Sequence, residues 1–284
     1  MLTIFTIPKP FVGLTALIQK NAIKSWLQLK PRCEIILFGD DDGVAEVAHE
    51  FGVTHLPYIE KNEFGTPLLS SAFQIAQESA KHDLLVYVNA DIIFFHDLLG
   101  AVRQIDKPHF LLCGRRWDLD VHEDVDFGRV DWQDEILNKT KRYGKQHGMS
   151  GIDYFAFPRH LINMPRFAVG RPAWDGWLIY EMRRKQIPVI NATGAITVIH
   201  QNHDYSHSVF GKKKRVKGPE WIKNIQMAGG FSCLLTLRDA DWLLDQHGLH
   251  RPGFPKGLLP IFSRYRIWRE LLSLKRQIDE KIRS

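Results

Sequence analysis

Short apolar runs alternate along the chain with longer segments in which apolar residues recur every three or four positions. The short runs are typical of buried strands, whereas the three-to-four spacing places apolar side chains on one face of a helix. Strands are predicted at 2–7, 34–38, near 53, 84–88, 109–113, 152–157 and 196–199. Helices are predicted at 14–29, from 47 to 51, and at 67–80, 176–185, 220–227 and 239–246. This alternation predicts an α/β fold with a mostly parallel central sheet flanked by helices.

The pattern changes in two places. An acidic stretch over 118–134 predicts a surface loop leading into a helix. Prolines and glycines over 251–260 predict a linker, and the segment 261–282 after it predicts a basic amphipathic helix. We therefore expect one domain over 1–250, followed over 251–284 by the linker and the C-terminal helix.

Composition narrows the class of protein. Of the 284 residues, 44% are hydrophobic and 25% charged, which is an ordinary globular balance. No apolar stretch approaches the roughly 18 residues of a membrane helix, and the first residues lack the pattern of a secretory signal. Cys33, Cys113 and Cys233 are widely separated and show no metal-binding spacing. These features favour a reduced, cytoplasmic protein.

The net charge of +6 is unevenly distributed. Residues 209–284 carry 16 Lys and Arg against 7 Asp and Glu, whereas residues 1–208 carry 22 against 25. A nucleic-acid-binding protein usually spreads its basic residues over a recognition face. The asymmetry instead indicates a basic loop at 211–218 and a basic terminal helix, and we expect no nucleic-acid partner.

Polar residues follow three of the predicted strands directly. They are Thr6-Ile7-Pro8 after the first strand, Asp40 after the second and Asn89-Ala90-Asp91 after the central one. Ligands of parallel sheets bind at these carboxyl ends, and a glycine-rich dinucleotide fingerprint after the first strand is missing. Asp91 stands where a Mg²⁺ or Mn²⁺ ion that bridges a diphosphate would need a carboxylate. The alternative is that the triplet is only a strand-ending turn.

Three histidines crowd together after the last predicted strand. His200 closes the strand, and His203 and His207 follow within eight residues. An imidazole ligand from His200 would favour Mn²⁺ over Mg²⁺. The alternative is that the histidines, His203 and His207 above all, only fix the loop.

Two further segments are candidates for binding a sugar. Trp174 and Trp177 offer flat apolar faces, and Asp175 between them can bind or deprotonate a hydroxyl. Asp153 is a second candidate for sugar hydroxyls. The alternatives are a helix N-cap for Asp175 and a loop turn for Asp153.

The order of these motifs resembles that of GT-A-type glycosyltransferases. The resemblance covers about residues 2–248 and extends to bacterial-type members of that superfamily through the run 199–206 and Gly218-Pro219-Glu220. It implies that Asn89-Ala90-Asp91 occupies the Asp-x-Asp metal motif, with Asn in place of the first Asp. It also implies Asp91 and His200 as metal ligands and Asp175 as the catalytic base of an inverting reaction.

The resemblance further implies the partners. The expected donor is a nucleoside diphosphate sugar, a UDP-sugar in particular, and the acceptor is a glycan or a lipid-linked glycan. The donor would contact Thr6, Ile7, Pro8, Asp40, Asn89, Ala90, Asp91 and, from the basic loop, Lys213. The acceptor would contact Asp153, Trp174 and Trp177.

The basic segments allow more than one interpretation. Lys213 and its neighbours predict a lid over the diphosphate, unless they form an ordinary solvated charge run. The helix 261–282 predicts peripheral contact with an anionic membrane, and packing on the domain or on a second copy of the chain is the alternative. A sugar-nucleotide nucleotidyltransferase is the competing enzyme class, although the first strand lacks its glycine-rich basic loop. A non-enzymatic RNA- or membrane-binding module would leave the aspartate and histidine motifs without a purpose.

Overall fold

The computed structural model describes residues 1–203 and 218–253. Their centre is a nine-stranded sheet with the order β13-β12-β10-β6-β9-β4-β1-β2-β3. Its strands are β1 (Thr3–Thr6), β2 (Glu34–Phe38), β3 (Thr54–Leu56), β4 (Leu84–Val88), β6 (Leu111–Cys113), β9 (Tyr154–Pro158), β10 (Val189–Asn191), β12 (Trp242–Asp245) and β13 (Gly248–His250). All run in one direction except β9 and β13, which are antiparallel to their neighbours. The mixed α/β fold with a mostly parallel sheet is therefore confirmed.

Seven helices cover the sheets and connect the strands within the described part of the chain. They are α1 (Gly13–Leu27), α2 (Val44–Phe51), α3 (Leu69–Ser79), α4 (Asp97–Arg103), α5 (Trp132–Tyr143), α6 (Trp174–Arg184) and α7 (Pro219–Met227). Strand side chains alternate between the two faces, so Ile4 packs with α1, α2 and α4, and Phe5 packs with α3 and α6. Both faces of the sheet are thus apolar and covered, which explains the continuous apolar runs of its strands.

An aromatic cluster fills the face beneath the ends of β1 and β4. Phe5 makes edge-on contacts with Phe73, Tyr87 and Phe157, at 5.1, 5.4 and 6.3 Å between ring centroids. Phe73 also stacks on Phe157 at 5.5 Å. Such pairs contribute about 0.5–1.5 kcal/mol each beyond the area they bury. The strand ends that carry the predicted site therefore rest on a tightly packed base.

A second, four-stranded sheet has the order β5-β11-β7-β8. It comprises β5 (Ile92–Phe94), β7 (Trp117–Leu119), β8 (Lys145–Gln146) and β11 (Val198–Gln201), and its apolar face packs on α5. β5 begins one residue after Asp91, and β11 pairs with it so that His200 lies opposite Ile92. This sheet brings the histidine strand to the end of β4.

The prediction of a helix over 239–246 is wrong. The chain forms a 3-10 turn at Leu237–Asp239, and then β12 and β13 make a hairpin at the edge of the large sheet. β12 pairs in parallel with β10, so Leu244 is buried in the core. A short apolar run at a sheet edge gives no helical period to distinguish the two structures.

The acidic stretch is also not purely a loop, because its first residues, 118 and 119, belong to β7. The short elements β5, β8, β10 and α4 were not predicted. Lys213, His207, most of the basic loop, most of the linker and the C-terminal helix lie outside the described residues. Among the residues that are described, no helix is long and apolar enough to cross a membrane.

Candidate functional site

Asp91 lies in the tight turn that joins β4 to β5. The turn closes with a hydrogen bond from Ile92 N to Asn89 O of 3.2 Å, and the backbone oxygen of Asp91 accepts from both N and Nε2 of Gln201. The carboxylate is largely buried, with 15% of the side chain exposed. Its Oδ1 is shielded from solvent and has no hydrogen-bond partner among the described residues. A buried carboxylate oxygen without a donor is costly, so a ligand is the expected partner.

His200 and His203 surround the other oxygen of this carboxylate. Oδ2 of Asp91 lies 3.6 Å from Nε2 of His200 and 3.3 Å from Nε2 of His203. One ligand atom from each of the three residues can be chosen so that all lie within 4.8 Å of one another. One carboxylate oxygen and two imidazole nitrogens can together hold a divalent cation.

The charges of this group are strongly coupled. Burial by itself would raise the pKa of Asp91, but the charge of His200, the hydrogen bond from His203 and the charge of Lys9 together hold it below its usual range. Burial would lower the pKa of His200, but Asp91 and Asp118 outweigh burial and raise it. The site therefore favours an ionised aspartate, which is the form that binds a cation.

Strand β7 adds a second carboxylate on the far side of His200. The parallel register of β11 and β7 places Asp118 beside His200. Oδ1 of Asp118 lies 3.2 Å from Nδ1 of His200, close enough for an ion pair although the angle is not that of an aligned hydrogen bond. The two ring nitrogens of His200 thus face two different aspartates.

Arg116 links the carboxylate of Asp118 to the turn that contains Asn89. Its Nε donates to Oδ1 of Asp118 at 2.8 Å and its Nη1 donates to Oδ2 of Asp153 at 2.6 Å. Oδ1 of Asp153 in turn accepts from Nδ2 of Asn89 at 2.6 Å. Both oxygens of Asp153 are engaged by protein groups, which leaves Asp153 as a link in the network rather than an open contact for a sugar hydroxyl.

Side chains of helix α1 form hydrogen bonds with β5 and β11 next to the Asp91 turn. Asn21 is fully buried and donates to Oε1 of Gln201 at 3.1 Å, and Trp26 donates through Nε1 to Ile92 O at 2.9 Å. Ser25 Oγ accepts from Phe94 N at 3.1 Å. Sequence reasoning missed these residues, together with Arg116 and Asp118. Polar residues within the apolar period of α1 were the only available signal.

The predicted donor residues lie along the same edge of the sheet. Thr6, Ile7 and Pro8 are buried at the end of β1, and Oγ1 of Thr6 has no hydrogen-bond partner among the described residues. Asp40 follows β2, is exposed and pairs with Lys61. The hydrogen bond to Lys61 keeps the pKa of Asp40 below its usual range. The ends of β4, β1 and β2 lie in that order along the sheet edge, because the three strands are consecutive and parallel.

Trp174 and Trp177 do not present exposed faces on which a sugar ring could stack. Trp174 is 6% exposed and packs on Tyr87 and Phe155, with ring centroids 5.2 Å apart in both pairs. Trp177 is 9% exposed and packs on Phe167 at 5.3 Å. Their rings belong to the core on that face, so the expectation of stacking surfaces is not met in this structure.

Asp175 lies in the first turn of α6 and is not its N-cap. The N-cap is Ala173, whose φ of 108° is a strained conformation for a residue with a side chain. Burial raises the pKa of Asp175, and the negative charge of Asp153 adds to the effect. A carboxyl group with a raised pKa is better suited to accept a proton than an ordinary surface aspartate.

Comparison with known proteins gives fold-level similarities only. No protein-family model and no curated protein matches the sequence. A mannosyltransferase from Pyrobaculum calidifontis in complex with GDP-Man and Mn²⁺ is 14% identical, with a TM-score of 0.44 over 72% of this chain and 58% of its own. The chain thus spans little more than half of that enzyme's length.

Two other solved structures also resemble the chain. Glucosyl-3-phosphoglycerate synthase from Mycobacterium tuberculosis, with Mn²⁺, UDP and phosphoglyceric acid, is 13% identical with a TM-score of 0.46, over 81% of this chain and 79% of its own. A cytidylyltransferase from Leptospira borgpetersenii is also 13% identical, with a TM-score of 0.35 over 56% and 61%.

Proposed function

We propose that this protein is a glycosyltransferase that moves a sugar from a nucleoside diphosphate sugar to a glycan or lipid-linked acceptor with the help of a divalent cation. The observation that carries the proposal is the group Asp91, His200 and His203 at the carboxyl end of β4, with Oδ1 of Asp91 buried and without a donor among the described residues. The carboxyl ends of a parallel sheet are where such folds bind their ligands.

The residues present fit a cation. Asp91 supplies a carboxylate oxygen, and His200 and His203 each supply an imidazole nitrogen. When bound, a divalent ion neutralises the diphosphate of the donor and of the leaving nucleotide. The two nitrogen donors favour Mn²⁺ over Mg²⁺. His203 extends the pair that the sequence predicts to a set of three.

The strand ends beside Asp91 support a donor site. Thr6 ends β1 and Ile7 and Pro8 follow it, Asp40 follows β2, and Asn89 and Ala90 precede Asp91 at the same edge. A nucleoside in this position would bring its diphosphate towards Asp91. Lys213 as a cation over the diphosphate, and contact of 261–284 with a membrane surface, remain proposals that rest on the sequence.

The proposed base is Asp175. It would take the proton of the acceptor hydroxyl as the new glycosidic bond forms, if the reaction inverts the anomeric centre. Its raised pKa and its position two residues after the strained Ala173 support this role. Replacing Asp175 with Asn removes the basicity and is expected to lower turnover about 10²-fold or more, with donor affinity nearly unchanged. Unchanged turnover would exclude Asp175 as the base.

A donor screen tests the function directly. The protein is incubated with UDP- and GDP-sugars and an acceptor mixture, with and without Mn²⁺, and the release of nucleoside diphosphate is measured. We expect release that needs Mn²⁺ and is abolished by Asp91→Ala, while Asp131→Ala, at an exposed aspartate, releases as much as the unaltered protein. A nucleotidyltransferase would instead consume a nucleoside triphosphate and a sugar phosphate and release pyrophosphate. Release of pyrophosphate alone would overturn the proposal in favour of that class.

A binding measurement locates the cation. Calorimetry of a nucleoside diphosphate with and without Mn²⁺ should show metal-dependent affinity that Asp91→Ala removes and His200→Ala weakens. An Asp91→Ala protein with unchanged metal-dependent affinity would place the cation elsewhere.

A further inference from the structure

His200 is held between two carboxylates by two strands. Its Nε2 lies 3.6 Å from Oδ2 of Asp91, and its Nδ1 lies 3.2 Å from Oδ1 of Asp118. The antiparallel pairing with β5 sets the first distance, and the parallel pairing with β7 sets the second. Only 6% of the His200 side chain is exposed, so the ring has little freedom to turn towards water.

The carboxylate of Asp118 is itself fixed. Arg116 donates through Nε to the same Oδ1 that faces His200, at 2.8 Å, and is anchored at its other end by Asp153 at 2.6 Å. The Arg116 side chain is 14% exposed and that of Asp153 is 7% exposed. Asp118 therefore presents one defined oxygen to the ring, in a region where water screens the charges only weakly.

A neutral imidazole has one nitrogen that donates and one that accepts. An acceptor beside Nδ1 favours the form in which Nδ1 carries the hydrogen, and this form leaves the lone pair of Nε2 free. Nε2 is the nitrogen on the side of Asp91. Asp118 on one side of the ring therefore favours a free lone pair on the other side, which faces the cation site.

We propose that Asp118 is a positioning residue for the cation site, which holds His200 in the orientation and hydrogen-bonding form in which Nε2 binds a divalent cation together with Asp91. This inference rests on the cation site of the proposed function and adds the residue that orients one of its ligands. Carboxylates that accept from the second nitrogen of a metal-binding histidine typically change metal affinity 10–100-fold when they are removed.

The test uses the full chain and Mn²⁺ alone, without nucleotide, in calorimetric titrations. Asp118→Ala is expected to weaken Mn²⁺ binding by about 10–100-fold. Asp131→Ala is the matched control, because Asp131 also accepts from an arginine two positions earlier but is exposed and belongs to no cation-binding group among the described residues. The control should bind Mn²⁺ as the unaltered protein does.

A double-mutant cycle separates positioning from general structural support. If Asp118 acts through the ring, Asp118→Ala should cost little further affinity in a His200→Ala background, where Asp91 and His203 remain. A merely structural role would weaken binding equally in both backgrounds, and that result would overturn the proposal.

The remaining outcomes are distinguishable. Unaltered protein that binds Mn²⁺, with Asp118→Ala equally tight, contradicts this inference alone. Unaltered protein that binds no Mn²⁺ contradicts the proposed cation site and this inference with it. If Asp118→Ala does not fold, Asp118→Asn replaces it in the cycle, since its neutral oxygen is a weaker acceptor. A severalfold loss that depends on His200 is then expected, and unchanged affinity would contradict the proposal.

Discussion

The chain contains the same short motif, an arginine and an aspartate separated by one residue, in two very different regions. Arg116 and Asp118 pair at 2.8 Å beside the candidate site, and Arg129 and Asp131 pair at 2.8 Å on the surface. The side chains of the first pair are 14% and 21% exposed, whereas those of the second are 52% and 60% exposed. Distance alone therefore says nothing about what each pair contributes.

The place of each pair in the secondary structure accounts for this difference in burial. Asp118 lies in β7 and Arg116 directly precedes this strand. In extended backbone, residues two apart point to the same side, and the two side chains contact His200 and Asp153. Arg129 and Asp131 lie in the turns before α5, and Arg129 also forms an ion pair with Glu135 at 3.1 Å. Water screens the exposed pair, while the buried pair has become the link between two parts of one site.

The largest expected effect follows from removing the buried arginine. Arg116→Ala leaves the carboxylates of Asp118 and Asp153 without the guanidinium group that both of them bind. Breaking a buried ion pair in this way typically costs about 3–5 kcal/mol of unfolding free energy. Arg129→Ala should leave the free energy of unfolding unchanged within error. Urea denaturation of both variants measures the contrast, and equal losses would mean that burial does not distinguish the pairs.

The second prediction concerns Asn89, the residue that departs from the Asp-x-Asp motif. Asn89→Asp restores that motif but sets a carboxylate against Oδ1 of Asp153, where an amide now donates at 2.6 Å. We expect a loss of about 1.5–3 kcal/mol in unfolding free energy and no gain in Mn²⁺ affinity.

The matched control is Asn62→Asp. Asn62 donates at 2.8 Å to the carboxylate of Glu220, which also accepts from Arg171. This group repeats the arrangement of Asn89, Asp153 and Arg116 away from the cation site. This variant should lose comparable stability without any change in Mn²⁺ binding. Tighter Mn²⁺ binding by Asn89→Asp would show that Asn89 occupies a ligand position.

The smallest expected effect comes from Asp97, a largely buried carboxylate that no arginine pairs with in the described structure. It accepts from Thr197 N at 2.8 Å, and its Oδ1 has no hydrogen-bond partner among the described residues. Burial raises its pKa to about 6 from the ordinary value of 3.8, so the folded protein holds this proton more tightly than the unfolded chain does. The contribution of Asp97 to stability is therefore present at low pH and lost as the pH rises from about 4 to about 6.

Asp97→Asn removes this dependence while keeping an acceptor for Thr197. The variant should melt a few degrees above the unaltered protein at pH 7, and the difference should shrink as the pH falls towards 4. Melting curves at a series of pH values measure this. Two parallel pH profiles would show that Asp97 does not titrate in this range.

The sequence was sufficient for the parts of the molecule that depend on local periodicity. β2 and β4 have the predicted bounds because their apolar runs end abruptly at Gly39 and Asn89. Asp91 was identified as a candidate because it directly follows such a run, and His200 because it closes another. Residues at strand ends can be located from the strand alone.

The rest of the site depends on pairings between strands that are distant in sequence. Asp118 approaches His200 only because β7 and β11 are neighbours, and Asp153 approaches Asn89 only because β9 runs antiparallel to β4. β7 has three residues and β5 has three, which is too short to show a period. The burial of Trp174 could likewise not be predicted, since an aromatic residue at the start of a helix suits both a sugar-binding surface and an apolar core.

The register of β11 makes the site depend on chain length as well as on residue identity. Ile199 is buried in the apolar cluster of the second sheet, while the next residue, His200, faces Asp91. One residue inserted between β10 and β11 would slip the pairing and exchange these two sides, setting an isoleucine beside the carboxylate and an imidazole in the apolar cluster. Segment 192–197 should thus accept very few insertions or deletions during evolution, the more so because Ala192 and Ile196 are buried in the core and leave little room for a bulge.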